Sequence, residues 1–523
     1  MKVHNSATMS TAKIIAFPQR PQRKPQPGPQ QGPGPDAAPG EATLWSVFAE
    51  RCERNPRKRA VRDADGSMTY AELLALAAQL SRIFLREAER QPASRTIGML
   101  GQNSAVHLAT LLGCARAGLA MVPINWRLAE EEWCWQARAA GMAAVVEGFG
   151  TRMPEGFMVA GGISAIGQST IRMLPREPVT GTELGRAEAP VLIGYTSGTT
   201  GRPKGAILTQ AALLANATNA QALFEITPDD RVLTMLPMFH VGGLNIQTLP
   251  ALLAGAEIIL HQKFDAESFF DALVQHRPTL TLLVPAVMAA LVAHPRWAKA
   301  DLSSLRAAGA GSSIVPPALI EAFQARGVPI QQVYGSTETA PIVIAQSREE
   351  ALAWPGSIGR PAALCAARIG PKGEIQVKGP NIMQGYLDNP EATAESFSEG
   401  WFRTGDIGRV DEDGRFWFTD RMKHIIISGG ENISPAEVER VLATAPGVVE
   451  CAVIGKPDPK WGEVPLAVVV PGEGFDPHRV LEVFEGQLAR FKQPREVAVV
   501  AALPRTALGK VDLPALRALV LSP

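Results

Sequence analysis

The stretch Tyr195-Thr196-Ser197-Gly198-Thr199-Thr200-Gly201-Arg202-Pro203-Lys204-Gly205 follows a strand-like apolar run, Pro190–Gly194. Its three glycines permit close backbone approach. The hydroxyls and free N–H groups can cradle phosphate oxygens, and Lys204 adds a positive charge. This is not a Walker A loop, because no Gly-Lys-Ser/Thr follows the first glycine at the required spacing. On this segment alone a polyphosphate cradle competes with a Gly/Thr-rich surface turn.

Working outward, apolar runs alternate with helical periodicity from about Thr43 to Asp420: Ala105–Ala117, then Ala120–Pro123, then Glu130–Ala140. That alternation predicts an α/β fold, a large N-terminal domain of α/β subdomains with mostly parallel sheets. After Asp420 the signals change to those of a small α+β lid domain. Ser434-Pro435-Ala436-Glu437 reads as a capping box with proline at the first helical position. Val448–Ile454 and Leu466–Val470 read as strands, and Leu481, Phe484, Leu488 and Phe491 as one face of a second helix. The expected boundaries are a Pro/Gln/Gly-rich disordered leader over 1–44, a main domain over 45–420, a hinge over 421–424 and a lid over 425–523. Eight prolines between residues 18 and 40 are the reason for the first of these.

Composition narrows the functions. A chain of 523 residues exceeds one hydrophobic core. Lys+Arg and Asp+Glu are each 51, so no basic field would attract nucleic acid. Cys52, Cys114, Cys134, Cys365 and Cys451 are odd in number and lack CxxC spacing, which suits reduced core thiols. The longest apolar stretch, Pro278–Ala293, is interrupted by Pro285 and is shorter than the roughly 20 residues of a membrane span. It reads as a strand, Leu280–Val284, and a buried helix. The N-terminus lacks the apolar core of a secretory signal, so cytoplasm is the expected location.

Four further segments accompany the first: Tyr334-Gly335-Ser336-Thr337-Glu338, Trp401-Phe402-Arg403-Thr404-Gly405-Asp406, Asp420-Arg421-Met422-Lys423 and Pro504-Arg505-Thr506-Ala507-Leu508-Gly509-Lys510. In type and order the five resemble the motifs of the adenylate-forming superfamily of acyl-CoA synthetases, peptide-synthetase adenylation domains and beetle luciferases. The resemblance covers roughly residues 45–515. It implies an ATP-dependent carboxylic acid–CoA ligase that forms an acyl-adenylate and then a thioester, with ATP, Mg2+ and coenzyme A.

The implied roles make chemical sense. A carboxylate is a poor electrophile and must first become a mixed anhydride; displacement at the α-phosphate calls for positioned cations more than for an acid–base residue. The resemblance gives Glu338 the Mg2+, Thr337 the α-phosphate, and the loop Thr196, Ser197, Gly198, Thr199, Thr200, Gly201 and Lys204 the ATP phosphates. Tyr334 would offer its ring to adenine, with the backbone of Gly309, Ala310, Gly311 and Ser312 on the other side. Asp406 would accept from both ribose hydroxyls and Arg421 donate to sugar or phosphate. Lys510 would be carried to the α-phosphate by the lid, which pivots at Lys423.

In the second half-reaction a thiol enters where pyrophosphate left, which explains two lid orientations. Gly429 and Gly430 would let the pantetheine arm pass, and Lys263 corresponds to a contact with the CoA phosphates, with an ordinary surface lysine as its alternative. His240, Val241, Gly242, Gly311 and Pro341 are the implied acyl pocket, His240 either lining it or filling the core. The segment Met235–Gly243 supplies no carboxylate for an α-ammonium, which disfavours amino acids.

Two positions depart from relatives: Gln210 stands where many carry histidine, and Val333 where several aromatic-acid ligases carry glycine. Val333 would narrow the pocket and favour aliphatic acids, whereas Gly242, Gly243 and Gly311 leave room for a ring. Fatty (medium or long chain) and aromatic acids both stay open. A carrier-protein phosphopantetheine is the alternative acceptor, although 13 residues after Lys510 leave no room for a fused carrier. A non-catalytic nucleotide-binding scaffold is opposed by the intact Lys204, Thr337, Glu338, Asp406, Arg421 and Lys510. A homodimer is compatible with the sequence.

Overall fold

Helix Ala105–Ala117 is buried along its whole length, as expected of a helix apolar on every side, and it ends at the left-handed Gly118. It packs against helix Tyr70–Arg90, whose Thr69–Glu72 capping box fixes its start. The computed structural model describes residues 42–148, 150–154, 163–174, 181–196, 203–311, 315–428, 431–459, 461–477, 479–485, 487–506 and 509–521. The expected leader falls outside them as far as residue 41.

Among the described residues there are four sheets. One has seven strands in the order Gly385–Tyr386, Lys204–Thr209, Pro190–Thr196, Ala120–Ile124, Thr96–Leu100, Met142–Glu147, Ser164–Ile166. The last five run parallel and the first two antiparallel. A nine-stranded sheet has a parallel centre of Ile330–Tyr334, Ala307–Ala310, Leu280–Leu283, Arg231–Thr234, Glu257–Leu260 and Arg59–Asp63, with antiparallel strands at both edges. The parallel strands are apolar nearly throughout because helices cover both faces. One continuous core joins the two sheets.

A third sheet, built on Glu374–Lys378, Trp401–Val410 and Phe416–Arg421, is antiparallel throughout, so the main domain is mixed rather than uniformly parallel. The fourth belongs to the small C-terminal domain, where Val448–Asp458 pairs with Gly462–Pro471 over a longer span than the sequence suggested. Together these make a large N-terminal α/β domain and a small C-terminal α+β domain.

Several local expectations need correction. The second lid helix is absent among the described residues: Leu481 and Phe484 sit in a 3-10 turn, Val480–Phe484, and Phe491 in another, Arg490–Lys492. Phe484 is fully buried but Phe491 is 44% exposed, so the apolar spacing did not mark one helical face. The capping box forms by half. Ser434 accepts from the Glu437 N–H, but the Glu437 carboxylate pairs instead with Lys492 at 2.7 Å. Helix Pro285–Val292 buries only Val287, Met288 and Leu291. Cys52, Cys114 and Cys134 are core thiols, whereas Cys365 and Cys451 are half-buried.

The departure at Gln210 has a structural reason. Its fully buried amide accepts from the Leu44 N–H at 2.9 Å and donates to the Ala115 carbonyl at 3.0 Å. It ties the first turn of helix Leu44–Arg54 to the last turn of Ala105–Ala117.

Candidate active site

Two of the quoted segments follow the carboxyl ends of parallel strands, where open α/β sheets carry their ligand sites; Trp401–Asp406 and Asp420–Lys423 come from the antiparallel third sheet and Pro504–Lys510 from the C-terminal domain. Pro190–Thr196 leads to the phosphate loop, Arg231–Thr234 to Met235–His240, Ala307–Ala310 to Gly311, and Ile330–Tyr334 to Thr337 and Glu338. The two sheets touch at Gly194, where a Cβ would stand 2.5 Å from the Thr337 Cγ2. Only glycine permits that approach.

Ser197, Gly198, Thr199, Thr200, Gly201, Ser312, Gly429 and Gly430 lie outside the described residues. Thr196 and Lys204 are described, and they face each other across an antiparallel pair. The loop therefore closes a β-hairpin and does not open a helix. The Lys204 ammonium lies 5.4 Å from the centre of the Tyr386 ring.

Tyr386 escaped the sequence reading. Its hydroxyl donates to the Glu338 Oε1 at 2.9 Å, and Thr196 Oγ1 lies 3.5 Å from the same oxygen. Burial, with the Glu338 charge beside it, pushes the phenol above its ordinary range, so it remains a donor. No motif marks this tyrosine; the contact depends on the two-residue strand Gly385–Tyr386 pairing with Lys204–Thr209, a distant partner in sequence.

Asp406 is 5% exposed and faces Arg421 across paired strands. Its Oδ2 accepts from the Tyr334 hydroxyl at 2.8 Å. The Arg421 Nε is 3.0 Å from Oδ1, yet off the donor direction, so that buried oxygen has a charge contact but no aligned hydrogen bond. Burial raises the Asp406 pKa, against the pull of Arg421, Tyr334 and Lys510. Glu374, buried behind this strand, accepts from the Gly405 N–H at 3.1 Å and pairs with Arg403 at 3.2 Å, holding the turn that presents Asp406.

His240 caps the short helix Val241–Asn245, its Nδ1 accepting from the Gly242 N–H at 3.1 Å. The proton of the neutral ring is therefore on Nε2. Burial, then the nearby Lys510 ammonium, lowers its pKa to about 4. Lys510, at the end of a tight loop closed by the Thr506 N–H to its carbonyl, thus lies within electrostatic range of both His240 and Asp406. The two domains bring these three residues together.

Other expected residues are placed differently. Ala310 and Gly311 are buried at the strand end, but Gly309 turns toward Phe224 and Leu282, where a Cβ would stand 2.9 Å from each, so it serves core packing. Pro341 is held within a loop tied by Asn381, which donates to the Thr339 and Ile342 carbonyls at 2.7 and 2.9 Å. Val241 lies near Gly194. Lys263 is exposed, with its charge beside Asp265. Lys423 lies in a 3-10 turn, Met422–His424, between the domains.

Asp420 opens one of the quoted segments, but its partners come from the fold. Its Oδ2 accepts from the Ser434 hydroxyl at 2.6 Å and from the Ala436 N–H at 2.9 Å, linking the last strand of the main domain to the first turn of the lid helix.

The polar features gathered here are a buried Asp406 oxygen without an aligned donor, and Glu338 beside Thr196 and Tyr386, with Lys204 over the tyrosine ring. The chain belongs to the AMP-binding enzyme family: that family's model matches residues 48–387, and the AMP-binding enzyme C-terminal domain matches residues 437–510. It is 45% identical to the indoleacetate–CoA ligase of Aromatoleum aromaticum, over 89% of this chain and 96% of that protein. It is 40% identical to a feruloyl-CoA synthase of an Amycolatopsis species, again over 89% and 96%. Its fold matches the o-succinylbenzoate CoA synthetase of Bacillus subtilis in complex with ATP and magnesium, with a TM-score of 0.80 and 29% identity over 90% of this chain and 98% of that one. The protein is an ATP-dependent, AMP-forming acid–CoA ligase that uses ATP, Mg2+ and coenzyme A. Among the described residues no helix is long and apolar enough to cross a membrane.

Proposed function

We propose that the acid is an aromatic one, an arylacetate or arylpropenoate, activated as its adenylate and released as the CoA thioester. The observation that carries this is the identity to the ligases for indoleacetate and ferulate, over nearly the whole of both proteins. It outweighs the lean toward aliphatic acids drawn from Val333, whose side chain belongs to the core. The expected ring space at glycines is not what supports the aromatic reading: a Cβ on Gly243 would stand 2.3 Å from the Pro237 carbonyl oxygen and one on Gly311 2.7 Å from that of Val333, so these glycines serve close backbone packing.

In the first half-reaction the acid's carboxylate attacks the ATP α-phosphorus and pyrophosphate leaves. Lys510 neutralises charge developing on the α-phosphate oxygens, and Thr337 donates to one of them. Lys204 and the loop hold the departing phosphates. Asp406 Oδ1 receives a ribose hydroxyl, and the Tyr334 hydroxyl keeps the carboxylate oriented. The Nε2–H of neutral His240 points its dipole at the acid without adding a charge to the cleft. Glu338, the carboxylate beside Thr196 and Tyr386, would hold Mg2+, an ion usually bound through one or two carboxylates with waters and substrate phosphates, and the ion would offset phosphate charge. The lid then turns about Lys423, withdraws Lys510 and admits the thiol, which attacks the acyl carbon and expels AMP.

The test is pyrophosphate release with and without CoA, using indole-3-acetate, ferulate, benzoate, octanoate and palmitate. CoA-stimulated turnover on the aryl acids, lost in Lys510→Ala at the adenylation step but retained when preformed acyl-adenylate is supplied, is the expected result. Faster turnover on octanoate or palmitate would overturn the aromatic assignment.

A further inference from the structure

One buried side-chain amide ties the seven-stranded sheet to the segment that carries His240. Asn103 lies in the turn between strand Thr96–Leu100 and helix Ala105–Ala117, and it is buried. Its Nδ2 donates to the Leu236 carbonyl at 2.9 Å and to the His261 carbonyl at 3.1 Å, and its Oδ1 accepts from the Met238 N–H at 2.8 Å. Its own N–H donates to the Gln262 carbonyl at 3.3 Å. Both amide hydrogens are thus engaged with backbone of the nine-stranded sheet's connections.

The partners show what this amide replaces. Strands Arg231–Thr234 and Glu257–Leu260 pair in parallel, and the His261 N–H donates to the Thr234 carbonyl at 2.9 Å where their ladder ends. Beyond that point buried backbone groups need other partners. Asn103 supplies them, bracketing Pro237 from Leu236 to Met238 as a neighbouring strand would. Pro237 opens the turn that leads to His240, whose N–H donates to the Pro237 carbonyl at 3.2 Å. Gly243 closes on the same peptide from the far side of the turn. The turn is therefore held between Asn103 and the helix that His240 caps. The Asn103 loop is anchored in its own right, because Asp63 Oδ2 accepts from the Ala105 N–H at 2.8 Å.

We infer that Asn103 is a positioning residue for acid activation: it fixes the backbone from Leu236 to Met238 and thereby sets where the His240 ring meets the acid. It acts through His240 and not by contact with a substrate. A displacement of about 1 Å at a reacting geometry can cost about a hundredfold in rate, so a residue remote from the chemistry can matter this way. The inference rests on the reading of His240 as facing the acid, and it holds for any class of acid.

The experiment is a double-mutant cycle in the full-length enzyme with ATP, Mg2+ and CoA: wild type, Asn103→Ala, His240→Ala and the double variant. Pyrophosphate release is measured with whichever acid of the panel above the wild type turns over fastest. Asn103→Ala should lower kcat/KM for the acid by at least about tenfold while the KM for ATP moves by less than about twofold. In the His240→Ala background the same substitution should cost less than about threefold, because the residue it acts through is gone. A purely structural role would give equal losses in both backgrounds, which would overturn the inference. A loss for ATP as large as that for the acid would overturn it too. His240→Ala within about twofold of wild type would remove the reading of His240 and the inference with it, a result separable from additive losses beside an impaired His240→Ala. Should the thermal melt show that Asn103→Ala does not fold, Asn103→Ser, which keeps a hydroxyl donor, enters the same cycle with the same outcomes.

Discussion

At the scale of single residues, the site depends on hydroxyls that hold carboxylates in place. Tyr386 donates to Glu338 while its ring lies beneath Lys204, so it touches both the carboxylate proposed for Mg2+ and the lysine proposed for the phosphates. Tyr386→Phe keeps the ring and removes the donor. A hydrogen bond to a charged group contributes about 1.5–3 kcal/mol, so the adenylation kcat/KM should fall by about one to two orders of magnitude. Thioester formation from supplied acyl-adenylate should change much less, as stopped-flow measurement of each half-reaction would show. An equal loss in both would mean that the tyrosine supports the fold and not the metal carboxylate. Glu338, Lys204, Asp406 and Asp420 could be singled out in the sequence because each sits in a local motif. Tyr386 could not, and neither could the partners of Asp420, since both depend on residues brought near by folding.

At the scale of elements, helix Pro435–Leu442 carries an unusual load for two turns. Ser434 caps it and binds Asp420, Glu437 reaches Lys492, and Glu439 turns inward to accept from the Val453 N–H at 2.8 Å. Burial, reinforced by the Asp420 charge, raises the Glu439 pKa from 4.5 to about 7. Between those values the folded chain holds a proton that the unfolded chain has released, so this residue's contribution makes stability fall as pH rises through the window. Glu439→Gln removes that titration. The melting temperature of the variant, relative to wild type, should climb from pH 4.5 to 7 and level off above; a difference that is flat with pH would refute the assignment. Strands and buried helices of the main domain matched their periodicity to within a residue or two, as in Ala105–Ala117 and Ala120–Ile124. The lid's second helix failed because Leu481, Phe484 and Leu488 repeat at helical spacing but pack through successive turns around one small core.

At the scale of the whole molecule, the five motifs are far apart in sequence: two follow parallel strands, two come from the antiparallel third sheet and one from the C-terminal domain. The parallel strands were readable from their apolar runs and order. The antiparallel third sheet was not readable, because its alternation is weak and its strands are half-buried. One distant consequence follows from Gln210 and its grip on Leu44. The position at which the chain can be made to begin has a sharp limit. A protein starting at residue 42 retains the Thr43 cap, its contact with Glu183 and the Gln210 clasp. One starting at residue 46 loses all three and exposes a buried glutamine oxygen, so its thermal melt should drop by several degrees while that of the longer form matches the full chain.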